Sequence, residues 1–348
     1  MYIAVVASVS AVVAISGVVL GLIFRPKKPK RTLVDSDTKI PLRVVDRSFI
    51  THDTIRLKLG LPTADHVLGL PVGNHVYFSA KIDGNMVVRP YTPITLDTQK
   101  GYVDFVIKVY KGNVNPKFPK GGVMSQYLAS LPIDGFIDVR GPSGKLEYKG
   151  CGLFHIKPDL RSSPNPVKVK HVNMICGGSG ITPMFQLLSY ILQSKDDTTQ
   201  IAMVFANVSE KDIILRDELE NFKDKYPNHF RLWYTLNEAP EQSSREILTR
   251  AKEHFRYTKK PPNNPVDLDQ LQIKSAIAVH AIFNDHQIDF KNIKITGYVN
   301  EQMLQEHIYP VKDNDTITLI CGPPSFIEFA CLPSLTKLDY PKNMIHVF

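Results

Sequence analysis

The sequence predicts a membrane helix followed by a β domain and an α/β domain: an antiparallel β-barrel, then a parallel sheet with helices on both faces. Three observations predict it. Residues 1–24 carry no charged side chain and are mostly Val, Ala, Ile, Leu and Gly, with Arg25-Pro26-Lys27-Lys28-Pro29-Lys30-Arg31 directly after them. From residue 41 to about 149, short runs of β-branched and aromatic residues alternate with glycine-containing turns. Beyond about residue 171, short apolar runs are each followed by a helical stretch.

At 1.5 Å per residue, about twenty apolar residues cross the hydrocarbon core of a bilayer, so residues 1–24 suffice. The basic run after them keeps the rest of the chain on the cytosolic side. A cleaved signal peptide is the rival reading, but it wants its basic residues before the apolar run. Position two is Tyr2, so N-terminal myristoylation is not available. Residues 25–40 read as a basic, solvated tether.

In the first domain, residues 41–150, the stretches 76–80, 86–89 and 102–110 read as strands, and Asp83-Gly84-Asn85 as a turn between two of them. Strands at this spacing argue for a small antiparallel barrel. Residues 151–170, rich in proline and lysine, read as a linker. In the second domain, residues 171–348, the stretches 172–176, 201–205 and 317–320 read as buried strands, and 183–193 and 212–225 as helices. Such alternation predicts a parallel sheet.

Bulk composition agrees. An apolar fraction of 43% and a charged fraction of 22% belong to a globular chain, and 348 residues leave room for two domains. The net charge of +8 favours acidic partners or an anionic membrane surface; no nucleic-acid partner is expected. Cys151, Cys176, Cys321 and Cys331 lack CxxC spacing, and His75 and the other histidines lack ligand spacing, so no metal is expected. The cysteines read as reduced thiols of a cytosol-facing protein.

Four motifs carry the chemistry. Arg89-Pro90-Tyr91-Thr92-Pro93 ends a strand, and its arginine offers a planar fork to a phosphate oxygen. Gly121-Gly122 leads into Met124-Ser125 as a turn opening a helix, whose free N–H groups make an anion site. Gly177-Gly178-Ser179-Gly180 forms a tight loop after a strand, with Thr182 expected as N-cap and Pro183 as first helical residue. Cys321-Gly322-Pro323-Pro324 follows another strand. Each has a plain structural alternative: a solvated arginine, a sheet tyrosine, a capped helix start, a turn, a small buried thiol. Their order joins them, since the first pair suits a flavin with its pyrophosphate and the second a nicotinamide nucleotide laid across it.

These residues in this order resemble the NADH–cytochrome b5 reductase family, within the ferredoxin-reductase-like flavoenzymes. The resemblance runs from residue 41 to residue 348 and breaks between about 242 and 295. It implies FAD held by Arg89, Pro90, Tyr91, Thr92, Gly121, Gly122, Met124 and Ser125, with Val106, Lys108, Tyr110 and Thr182 beside them. It implies NADH held by Gly177, Gly178, Gly180, Thr182, Pro183, Asn237, Cys321, Gly322 and Pro323, and Thr92 and Cys321 next to the reacting rings. The implied activity is hydride transfer from NADH to FAD, then single electrons to cytochrome b5, an acidic haem protein. A monomer on the cytosolic face of the endoplasmic reticulum or mitochondrial outer membrane is implied with it. The alternatives are a relative using NADPH or another one-electron acceptor, or a non-catalytic membrane-tethered scaffold.

Two departures stand out. NADH-preferring relatives often place a carboxylate where this chain has Asn237, followed by Glu238. A carboxylate there accepts from the adenosine ribose and repels a 2′-phosphate; Asn237 removes that repulsion and Glu238 is placed to restore it from one position along, so a preference for NADH is expected but softened. The insert at about 242–295 includes a possible helix at 244–255, a proline-rich break at 261–265 and an apolar stretch at 275–283, and reads as a surface excursion.

Overall fold

The computed structural model describes residues 29–114, 116, 118–237, 297–311 and 314–348. The expected anchor at 1–24, the start of the tether, Glu238 and the insert at 242–295 lie outside the described residues.

The rest of the tether is not all solvated. Strand β1 (Lys30–Arg31) pairs in parallel with β4 (His66–Val67). Thr32 and Leu33, each 4% exposed, continue the attachment onto the first domain. Two residues are too few to show a period, and the basic run around them hides the apolar Leu33.

Alternation builds that domain. In β2 (Ile40–Phe49) the inward side chains Leu42 and Val44 are buried, and in β3 (Thr54–Gly60) Ile55, Leu57 and Leu59 are fully so. With β5 (His75–Ile82), β6 (Asn85–Tyr91), β7 (Tyr102–Lys108) and β8 (Phe136–Ser143) they form one antiparallel sheet, ordered β6-β5-β8-β2-β3-β7. The expected barrel is therefore open, with β6 and β7 as its edges. Helix α1 (Val123–Ser130) packs on β5 and β6, and a cavity fills the gap between the edges.

The expected linker at 151–170 is partly sheet. β9 (Leu146–Gly150), β10 (Leu153–Ile156) and β11 (Asn165–Lys168) form an antiparallel trio. Pro166 misled the sequence reading: proline is tolerated on an edge strand, and β11 is one.

The second domain is a parallel sheet of β12 (His171–Gly177), β13 (Gln200–Asn207), β14 (Phe230–Leu236), β15 (Thr316–Cys321) and β16 (Ile345–Val347), ordered β14-β13-β12-β15-β16. Both faces are covered, so its strands read as near-continuous apolar runs. Helices α2 (Ile181–Gln193) and α3 (Arg216–Lys225) accompany the core that holds Met174, Met203 and Leu188. Helices α4 (Glu301–His307) and α5 (Leu332–Lys337) accompany the core of Ile175, Val204, Leu304 and Leu335. From β12 the chain winds outward through β13 and β14, then returns to the other side as β15. The strand order thus reverses between β12 and β15, and open α/β sheets hold ligands at the carboxyl ends of such a switch point.

Two helix starts differ from expectation. Gly180, not Thr182, is the N-cap of α2, because the 3-10 turn Gly178–Gly180 winds straight into the helix. Thr182 instead donates to the Ser179 carbonyl (3.3 Å), and Pro183 sits in the first turn, where its missing N–H costs nothing. The helix expected from 212 begins at Arg216. Ser209 and Asp212 close a capping box around a separate 3-10 turn, and Leu215 (φ 58°) breaks the path between the two.

Candidate active site

The gap between β6 and β7 holds a cavity of about 470 Å³. Arg89, Pro90, Tyr91 and Thr92 line it from β6 and the residue after it; Val106, Lys108 and Tyr110 from β7 and beyond; Gly121, Gly122, Met124 and Ser125 from the start of α1. Thr182, Pro183, Gly180, Cys321 and Gly322 close it from the second domain. Every residue the sequence assigns to the flavin is thus on one wall or another.

Local geometry shows what these walls suit. Gly121 has φ +64°, and a Cβ there would lie 2.4 Å from the Tyr110 carbonyl oxygen, so only glycine fits. Gly122 caps α1 without a side chain, leaving first-turn N–H groups uncapped beside the cavity. Arg89 is exposed; its Nη1 donates to the Val88 carbonyl (2.7 Å), and no carboxylate pairs with it among the described residues. A guanidinium and a bare helix start on one cavity fit a pyrophosphate. Tyr91 packs its ring on Phe78 (4.7 Å between centroids), and burial pushes its phenol above the ordinary range. The Ser125 hydroxyl is already engaged: it donates to the Gly122 carbonyl (2.8 Å) and accepts from the Tyr110 N–H (3.1 Å). Ser125 therefore shapes the turn.

A second cavity, of about 640 Å³, opens at the carboxyl ends of β12 and β13. Gly177, Gly178, Asn237 and Pro323 line it, whereas Gly180, Thr182, Pro183, Cys321 and Gly322 face the first cavity. The nucleotide residues are thus divided between the two spaces, which meet at Lys108, Tyr110 and Ser179. Gly178, with φ +53°, has no atom within 4 Å of a would-be Cβ, so its backbone is open to a ligand. Cys321 and Cys176 are register partners on β15 and β12. Burial pushes the Cys321 thiol up to about 11, which keeps it uncharged at neutral pH.

Several wall residues escaped the sequence reading. His75, on β5, turns into the first cavity with a buried Nε2 that has no hydrogen-bond partner among the described residues, and burial lowers its pKa. The terminal Phe348 reaches the same cavity, its N–H held by the Ile320 carbonyl (3.0 Å). In the second cavity Asn207 is 6% exposed, and neither its Oδ1 nor its Nδ2 has a partner there. A buried amide without partners fits a ligand that supplies both a donor and an acceptor. Asn207 closes a buried strand beside the switch point, a position that does mark it in the sequence. His75 and Phe348 depend on cross-strand placement.

The two domains are fastened across the cleft. Gln186 of α2, 4% exposed, accepts from the Gly73 N–H (2.7 Å) and donates to the Asn74 carbonyl (3.3 Å). Tyr110 shares a hydrogen bond with Ser179 (3.0 Å). The Lys108 ammonium lies 2.7 Å from Asp53 of the first domain and 2.9 Å from Asp212 of the second. Burial pushes both carboxyls up, but the bonds and attraction of Lys108 outweigh it and hold both below the usual carboxylate range. Burial lowers Lys108, and the two carboxylates more than reverse this.

Depressed carboxyls stabilise the fold above their unfolded pKa and lose that effect as pH falls through the folded one. The raised lysine stabilises below its unfolded pKa and loses the effect as pH rises through the folded one. The clasp is therefore complete from about pH 4 to about pH 10. Asp212→Asn is expected to cost about 1 kcal/mol at pH 7. Its melting-temperature gap from wild type should narrow as pH falls below about 4, the ordinary carboxylate value; a gap that stays full in acid would mean the asparagine disturbs packing and not charge.

This open antiparallel sheet, parallel sheet and joined pair of cavities define a two-domain oxidoreductase class. Residues 41–148 match the family model described as an oxidoreductase FAD-binding domain, and residues 174–264 and 267–332 match that of an oxidoreductase NAD-binding domain. NADH-cytochrome b5 reductase 1 of Homo sapiens is 42% identical over 334 residues, covering 95% of this chain and 93% of the relative. NADH-cytochrome b5 reductase 2 of Gallus gallus is 44% identical over 319 residues, covering 92% and 88%. Among solved structures, the cytochrome b5 reductase domain of Ulva prolifera nitrate reductase superposes with a TM-score of 0.70 at 28% identity, over 91% of this chain and all of that one. This chain belongs to the NADH–cytochrome b5 reductase family.

Proposed function

We propose that this chain is a membrane-anchored flavoenzyme that takes a hydride from NADH and passes electrons singly to cytochrome b5. The observation that carries the reading is the junction of the two cavities, with Cys321 at the end of β15 facing the first and Gly177 and Pro323 facing the second. When bound, the nicotinamide supplies a hydride and the flavin accepts it and releases electrons one at a time.

The chain's own residues bind, align and exclude water. Arg89 and the start of α1 hold the flavin pyrophosphate. Tyr91 packs beside the flavin, and Thr92 offers a hydroxyl near its ring. The neutral Cys321 thiol sits beside the nicotinamide without adding charge. Gly178 lets backbone approach the nucleotide, and Asn207 takes a donor and an acceptor from it. Asn237 stands where relatives that favour NADH often carry a ribose-binding carboxylate, so the preference for NADH over NADPH is softened.

Residues 1–24 anchor the enzyme as a transmembrane helix facing the cytosol, on the endoplasmic reticulum or the mitochondrial outer membrane. Their apolar sequence supports this; among the described residues no helix is long and apolar enough to cross a membrane. The enzyme works as a monomer, and its net charge of +8 steers it toward an acidic acceptor.

Cutting before Pro29 keeps the β1–β4 pairing and tests the reading. The truncated protein is expected to bind flavin, to reduce ferricyanide with NADH as fast as the full chain, and to reduce vesicle-held cytochrome b5 more slowly. Added salt should slow the cytochrome b5 reaction. Loss of NADH–ferricyanide turnover would overturn the reading.

A further inference from the structure

We propose that the rim of the first domain around the β1–β4 pairing, comprising Lys30, Arg31, the turn at 62–65 and Lys100, rests against an anionic lipid surface. This rests on the anchor at residues 1–24 and goes beyond it, because it says which face of the enzyme the membrane sees.

The chain that leaves toward the anchor is fastened where it meets the fold. Thr32 donates its N–H (2.9 Å) and its hydroxyl (2.9 Å) to the Val67 carbonyl, and the Leu33 N–H donates to the Leu68 carbonyl (2.9 Å). Gly69 makes room for the passing chain: with φ +85°, a Cβ there would lie 3.1 Å from Arg31 Cβ. A leash pinned at this point has little left to give. From Phe24 to Lys30 there are six Cα steps, about 20 Å at full stretch. The far end of β3, next to the β2–β3 hairpin, is itself about 20 Å from Gly60 along the strand. The hairpin therefore reaches the bilayer only with the leash fully drawn out, whereas the 62–65 turn needs no stretch at all.

Charge agrees with geometry. Lys30, Arg31 and Lys100 are all exposed, and Arg25, Lys27 and Lys28 precede them in the sequence. Of the nearby acidic groups, Asp97 turns inward to accept from the Gly69 (2.6 Å) and Leu70 (3.0 Å) N–H groups; Asp65 faces outward, and the exposed Asp35 and Asp37 follow Leu33 as the chain leaves toward β2. Juxtamembrane basic clusters of this kind are drawn to anionic headgroups.

The test uses the full chain in vesicles containing phosphatidylserine and a nitroxide-headgroup lipid. Against a Cys151→Ser background, which removes the exposed native thiol, one fluorophore is attached at Lys100→Cys and another, in a separate protein, at Ser48→Cys on the hairpin end of β2. Quenching at position 100 is expected to exceed that at position 48 at least threefold. Inserting twenty Gly/Ser residues between Lys28 and Pro29 leaves the folded part untouched and adds about 25 Å of flexible reach; the ratio should fall but stay above one, because the basic rim still meets the anionic headgroups. Equal quenching in the unmodified leash would overturn the proposal. Flotation of the same vesicles separates the two readings. Protein that fails to float defeats the anchor and the orientation with it, while floating protein with equal quenching defeats the orientation alone.

Discussion

Gly180→Ala is expected to lower stability by about 3 kcal/mol and to slow flavin reduction by NADH at least tenfold while FAD stays bound. A Cβ at this position would lie 2.3 Å from the Cys321 carbonyl oxygen, 2.5 Å from its carbon and 2.9 Å from the Gly322 nitrogen. All three are backbone atoms, so no side-chain rotation relieves the clash. The start of α2 must move away from the end of β15, and this is the contact that sets Cys321 on the wall of the first cavity. Conformation is not at issue, because φ at Gly180 is −64°. Chemical denaturation and rapid-mixing reduction provide the two readouts. A wild-type reduction rate would show that this contact does not position the nicotinamide.

Arg89→Ala is expected to weaken FAD binding by about 1.5–3 kcal/mol, a ten- to hundredfold rise in Kd, the usual worth of a hydrogen bond to a charged group. No carboxylate competes for this guanidinium among the described residues, so its charge is free for a phosphate. Lysine in its place should recover only part of the loss, since an ammonium lacks the planar fork. Titration of apo-protein with FAD measures both variants. Unchanged affinity in the alanine variant would remove Arg89 from the pyrophosphate site.

Much of this was legible because the signals are local. The strands carrying Arg89, Gly177 and Cys321 announce themselves by apolar runs, and each ends in a glycine or proline motif that only a close backbone approach requires. What stayed hidden depends on partners distant in sequence. His75 enters the cavity from β5 by its place beside β6, and Phe348 does so because β16 pairs with β15. Lys108 was expected only at the flavin; its clasp with Asp53 and Asp212 appears once two domains are folded against each other. Composition misled twice, at Lys30–Arg31 and around Pro166, where basic or proline-rich stretches nonetheless add strands to sheets.

The joints across the cleft differ in kind. Gln186 grips the backbone of Gly73 and Asn74 through uncharged bonds deep in the protein, whereas Lys108 holds Asp53 and Asp212 by charge at the meeting of the cavities. Dissolved ions weaken the second and hardly touch the first. The two halves therefore behave like a door with a hinge and a catch. Rising ionic strength weakens the catch only in part, because Lys108, Asp53 and Asp212 are largely shielded from solvent. An anionic dinucleotide at the meeting of the cavities competes with Asp53 and Asp212 for the same ammonium, so the substrate and the catch share one charge.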